Sequence, residues 1–158
     1  MKKILCLCLL ALLGMSAKAQ EQNDAKQHLD FFGVSIEGTN DSISNHLQPT
    51  FRLKKKNGAE NNYIFEGPMF GHNVYVQAYY SRKSRTAYRM VVTPGNVSQE
   101  VWKDSLVQKY GDPAVTEQGL LWQRPGGMIL YYAPEGYGSG VIYLDAKGNE
   151  AYIKDINN

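Results

Sequence analysis

Cysteine is nearly absent from this 158-residue sequence. There are two, Cys6 and Cys8, and both fall within the first ten residues. The rest of the chain is left without a disulfide, a thiolate nucleophile or a thiolate metal ligand. Histidine is also scarce, with His28, His46 and His72 alone. No two of them have the spacing by which one helix face holds a metal. The reading is therefore three solvated imidazoles, no metal and no cofactor. No G-x-S-x-G nucleophile elbow occurs. The run Gly136-Tyr137-Gly138-Ser139-Gly140 resembles a phosphate loop but lacks the following Lys-Ser/Thr and a helix start, so it reads as a hairpin loop. Long apolar runs are missing as well. The ten residues Ile4 to Leu13 fall well short of the roughly 20 that a transmembrane helix needs.

That short run has another reading. Lys2 and Lys3 precede it, and Ala17-Lys18-Ala19 follows it with small residues where a leader peptidase reads them. The pattern predicts a secretory signal peptide over residues 1–19, cleaved between Ala19 and Gln20. A flexible, polar N-terminal tail is expected over 20–28, and a single domain over 29–158. The mature protein is expected to be periplasmic or secreted, with no stable membrane insertion once the leader is removed. Cleavage removes Lys2, Lys3 and Lys18, leaving 14 Lys and Arg against 15 Asp and Glu. A chain so close to neutral has little counterion-release energy for nucleic acid, so none is expected as a partner.

The domain reads as α+β, with antiparallel sheet packed on one or two helices. Thr39 is placed to cap a short helix in which Ile43 and Leu47 face inward, and Pro49 stops it at Gln48. Strands follow over Phe51–Lys56, Tyr63–Glu66, Asn73–Arg82 and Thr86–Thr93, with a tight turn at Asn57-Gly58. Gly67-Pro68 reads as a break. Ser98 caps the best-marked helix, Gln99–Tyr110, whose stripe is Val101, Trp102, Leu106 and Tyr110; Gly111 and Pro113 end it. Strands return over Leu120–Arg124, Met128–Ala133 and Val141–Leu144. Glu150–Ile156 reads as an edge strand, with a short terminal helix as the alternative. A helix followed by four strands thus occurs twice, which reads either as two α-β4 pseudo-repeats or as one irregular α+β sheet with two helices.

What the sequence does have is tyrosine, eleven in all and every one beyond the leader. Tyrosine orders at small entropic cost and offers both an apolar face and a hydroxyl, so it is favoured at binding surfaces. Tyr75, Gln77 and Tyr79 alternate along one strand, and Tyr131 is grouped with them as a candidate binding face. The acids Glu37, Asp41, Glu66, Glu117, Glu135 and Asp145 sit mostly at element ends and have no evident pairing for hydrolysis. Lys54-Lys55-Lys56 reads as a solvated edge that discourages aggregation.

The segments Phe32-Gly33-Val34-Ser35-Ile36-Glu37-Gly38, Gly67-Pro68-Met69-Phe70-Gly71 and Lys109-Tyr110-Gly111-Asp112-Pro113, the last preceded by Trp102 and Leu106, carry a resemblance. Together they resemble small exported proteins of Gram-negative gut bacteria, similar in outline to the β-lactamase-inhibitor-protein fold. The resemblance implies a fold of helix-plus-antiparallel-sheet units and no site residues. The expected function is a non-catalytic exported binding module for a protein or a glycan. The alternatives are an envelope structural or assembly factor working through a free strand edge, and a small hydrolase.

Overall fold

The computed structural model describes residues 28–134 and 138–158. The leader, its cleavage site and most of the expected tail lie outside the described residues, as do Glu135 and Tyr137. His28, assigned above to the tail and to solvent, belongs to the packed domain. Its ring nitrogen Nδ1 lies 3.0 Å from a carboxylate oxygen of Asp145 and 3.1 Å from the Ile36 carbonyl.

The described residues open with two short paired strands, β1 (Asp30–Phe31) and β2 (Val34–Ser35). The two residues between them, Phe32 and Gly33, both have positive φ (51° and 80°). That is the geometry a two-residue antiparallel turn requires. Helix α1 (Asn40–Leu47) starts at Thr39, whose hydroxyl accepts from the Ser42 N–H. It ends differently from the expectation. Gln48 keeps helical angles, and its N–H still bonds to Ser44. Pro49 stops the helix because it has no N–H to continue the ladder.

Four strands form a meander: β3 (Arg52–Asn57), β4 (Asn62–Met69), β5 (His72–Tyr80) and β6 (Ala87–Pro94). Helix α2 (Gln99–Tyr110) follows, capped by Ser98 and closed at Gly111 (φ 80°). A second meander contains β7 (Ala114–Thr116), β8 (Gly119–Arg124), β9 (Gly127–Tyr132) and β10 (Gly140–Asp145). The two join in one eight-stranded antiparallel sheet of order β3-β4-β5-β6-β10-β9-β8-β7. Each half is a helix followed by four strands, and the halves meet at the β6–β10 ladder.

Several local expectations need correcting. Asn57-Gly58 is not a two-residue turn: Asn57 pairs with Asn62, and the loop is the four residues 58–61. The tight turn is Phe70-Gly71, with φ of 51° and 77°. Gly67-Pro68 does not break β4. A Cβ at Gly67 would lie 2.6 Å from the Phe51 ring, so glycine lets the segment after α1 cross closely. Pro68 pairs with Asn73 on β5 but lies beyond β3, so its missing N–H faces no ladder partner. Glu150–Ile156 is not an edge strand. It lies within helix α3 (Ala146–Asn157), capped by Asp145, which accepts from the Gly148 N–H.

The core is legible row by row across the sheet. Phe65, Val76, Val92, Val141 and Tyr131 lie directly opposite one another on successive strands, as do Tyr63, Ala78, Met90, Tyr143 and Ile129. All ten are buried. Both α1 and α2 cover this face. The Tyr63 hydroxyl donates to Asp41 of α1, and the Tyr131 hydroxyl donates to the Gln99 carbonyl of α2. Trp102 and Leu106 are fully buried, as their spacing predicts, but Val101 is 46 % exposed. One helical stripe can seat only so wide an arc, and Val101 lies outside it. Phe32, Phe70 and Trp102 are linked by edge contacts at 5.3 Å, which tie both tight turns to α2.

Candidate functional site

With α1 and α2 both on one face, the described residues leave the other face of the large sheet largely uncovered, apart from α3 beside β6. Its central row takes one residue from every strand: Lys55, Ile64, Gln77, Val91, Ile142, Leu130, Leu121 and Ala114. Five of those side chains are large aliphatic groups, each half-buried by its neighbours in the row. A second row runs Tyr79, Arg89, Leu144, Met128 and Gln123. Beyond the first row on its other side lie Glu66, Tyr75 and Thr93. An antiparallel sheet open to water on one face normally carries polar residues there. This one carries a broad apolar band instead.

Its two ends are walled. At one end the β7–β8 turn, Glu117-Gln118, overhangs the band. It encloses two adjoining hollows of about 580 and 360 Å³ that share Thr116, Glu117, Gln118 and Leu130. Tyr132, Ile142, Leu121 and Met128 complete their floors. Gly119 makes the overhang possible. It has φ of 137°, and an added Cβ would overlap the Tyr131 carbonyl oxygen of β9. At the other end a hollow of about 430 Å³ lies between the sheet and α3, lined by Tyr79, Tyr88, Arg89, Tyr152, Asp155 and Ile156 among others.

The expected binding residues divide between the faces. Tyr75 is 47 % exposed, and Gln77 and Tyr79 are half-buried beside it on the same strand face. The Tyr79 hydroxyl donates to Gln77 at 3.1 Å. Tyr131 does not join them. It is 5 % exposed on the opposite, helix-covered face, bonded to Gln99. Tyr132, the next residue along, is the one that faces the hollows. Sequence reasoning missed the aliphatic band itself. The signal was there: Met128 to Tyr132 and Val141 to Leu144 are apolar at both parities, which a sheet with one polar face does not produce.

Among the described acids, Glu66 and Asp41 are engaged separately, whereas Asp145 and Glu37 both lie beside the His28 ring, at 3.0 and 3.8 Å. Glu66 is bound by Arg52 at 3.0 Å, Lys54 at 2.9 Å and Asn73 at 2.9 Å. These donors hold its carboxyl at about 2, far below the ordinary value. Asp41 is held low by the Tyr63 hydroxyl and Lys56. Asp145 is buried, and burial raises its carboxyl despite bonds from Gly148, Leu29 and His28. Tyr110 and Tyr143 share a 2.9 Å hydroxyl contact in the core. Burial lifts Tyr110 to about 12. Among the described residues no group of three or more His, Cys, Asp or Glu is placed to hold a metal. No described helix is long and apolar enough to cross a membrane. Comparison with protein-family models, with curated proteins and with solved structures returns no match.

Proposed function

We propose that this is an exported, non-catalytic binding module that docks a partner protein on the uncovered face of its eight-stranded sheet. The observation that carries the reading is the row Ile64, Val91, Ile142, Leu130 and Leu121. In it aliphatic side chains stand where a one-sided sheet would place polar ones. Strands lie about 4.8 Å apart, so eight of them span roughly 34 Å. With three rows of side chains, such a face approaches the ~800 Å² that each partner contributes to a standard protein interface. A broad apolar floor with polar and tyrosine-bearing margins fits a protein surface better than a sugar, which needs convergent hydrogen-bonding groups. Export rests on the leader-like segment before Gln20, and the site of action is the periplasm or the medium.

The test is capture of a partner by tagged mature chain from envelope and culture fractions, repeated with Leu130→Asp and with Tyr75→Ala/Tyr79→Ala. The expected result is one protein retained by the wild type and lost by Leu130→Asp, with unchanged melting of the variant. Equal recovery by wild type and Leu130→Asp overturns the docking face. Retention of a glycan with no accompanying protein overturns the choice of partner.

An assembly factor would work through a long free strand edge, and Glu150–Ile156, one candidate for such an edge, is helical. The actual edges are β3, which carries three consecutive lysines, and β7, which is three residues long. Both are blunt templates for strand addition.

A further inference from the structure

Arg89 projects from β6 onto the uncovered face, opposite Tyr79 on one side and Leu144 on the other. Its guanidinium lies 4.2 Å from the centre of the Tyr79 ring and 5.7 Å from that of Tyr88. Tyr88 in turn stacks on Tyr152 of α3 at 4.2 Å and 13°. The rings flank the guanidinium without accepting a hydrogen bond from it. Arg89 Nε is buried and has no hydrogen-bond partner. None of the ion pairs among the described residues includes Arg89. A buried donor on a charged group left without an acceptor is costly, and native proteins seldom keep one without a use.

The hollow it lines has two acids, and both are occupied elsewhere. Asp155 accepts from the Ser81 hydroxyl and, at 2.9 Å, from the Ser84 N–H. Glu60 accepts from the Asn62 amide at 3.2 Å. Arg82 and Lys83 add positive charge at the rim. The hollow thus presents one oriented fork of donors, aromatic walls and excess positive charge.

We propose that the Arg89 hollow is a carboxylate-binding site that receives an acidic side chain of a polypeptide ligand. The fork geometry of a guanidinium matches a carboxylate through two parallel bonds. The aromatic walls suit the aliphatic stem that carries the acid. The polypeptide nature of the ligand rests on the docking reading above, with this hollow as the charged anchor at the margin of the apolar band.

The test uses the full mature chain, labelled with nitrogen-15, and three probes: a short capped peptide containing one Glu, the same peptide with Gln, and inorganic phosphate. The readout is the Arg89 Nε–H resonance, which reports on the orphan donor directly. The Glu peptide is expected to shift it downfield in a saturable way, and the Gln peptide to leave it in place. Arg89→Lys keeps the charge but loses the fork and the Nε–H reporter; followed by the backbone amide shifts of Tyr88 and Tyr152 in both proteins, it is expected to weaken the Glu peptide by about tenfold. Equal shifts from Glu and Gln peptides, no shift from either, undiminished binding by Arg89→Lys, or a response to phosphate alone would each overturn the proposal. The titration needs no captured partner. Its failure therefore leaves the docking face standing, and failure of partner capture leaves the titration result intact.

Discussion

The buried carboxylate of Asp145 accepts the Leu29 backbone N–H at 2.6 Å, across 116 residues of sequence. Its other oxygen accepts the Gly148 N–H at 2.8 Å and contacts His28. One side chain therefore caps α3 and fastens the residue just before β1 to the end of β10. Asp145→Ala leaves two buried backbone donors without acceptors, each worth about 1–3 kcal/mol. Denaturant unfolding is expected to show a loss of about 2–4 kcal/mol. A loss under about 1 kcal/mol would mean that water replaces the carboxylate.

Leu106 is fully buried between α2 and the sheet. Leu106→Ala should cost roughly 2–5 kcal/mol by lost transfer energy and an unfilled cavity. Thermal melting reads this directly, and an unchanged midpoint would remove α2 from the core.

Gly148 lies in the first turn of α3, where alanine would ordinarily gain about 1 kcal/mol of helix propensity. Here an added Cβ would overlap the Ala87 carbonyl oxygen and lie 2.8 Å from Tyr88 Cα. Overpacking against backbone costs about 1–3 kcal/mol. Gly148→Ala is therefore expected to lower the melting temperature and to weaken the Tyr88–Tyr152 stack, seen as a change in near-ultraviolet circular dichroism. A raised melting temperature would show that α3 is not held against β6 at this distance.

Glu66 gives a pH dependence with a definite sign. Its carboxyl is held at about 2 in the folded chain against an ordinary value of 4.5. The unfolded chain thus binds its proton first as pH falls. The stabilisation is complete above about 4.5 and is lost progressively toward about 2. Glu66→Gln should flatten that acidic limb and leave the curve above pH 6 parallel to wild type. An unaltered acid limb would place the transition on other carboxylates.

Much of this was readable from local chemistry. Thr39 and Ser98 announce two helices by their hydroxyls, and alternation along β5 and β6 separates the core side from the open side. The failures have physical causes. Asp145 is as good a helix cap as Thr39, but Gly148 and Asn149 imitate a turn, and Ala151-Tyr152-Ile153 is a short apolar run ending in an aromatic and a β-branched residue, as a strand would carry. β7 has three residues, too few for any period. Tyr131 went to the wrong face because β9 is apolar at both parities, so the pattern does not say which side the helices cover. That ambiguity is the imprint of the apolar band itself. No local rule could foresee the Arg89 cluster, since it brings together β5, β6 and the C-terminal helix.

The β6–β10 ladder has a consequence for how the sheet closes. Every other neighbouring pair in the large sheet consists of strands consecutive in the chain, so each meander is assembled by small loop closures. Within the large sheet this is the seam between strands distant in sequence, and it belongs to the slow, nonlocal part of folding. The seam is also indifferent to whose strand completes it. A β6 from one molecule and a β10 from another would form the same ladder, with Gly95 to Val97 as the hinge, and the outcome at high concentration would be a pair of chains that share two sheets by exchange.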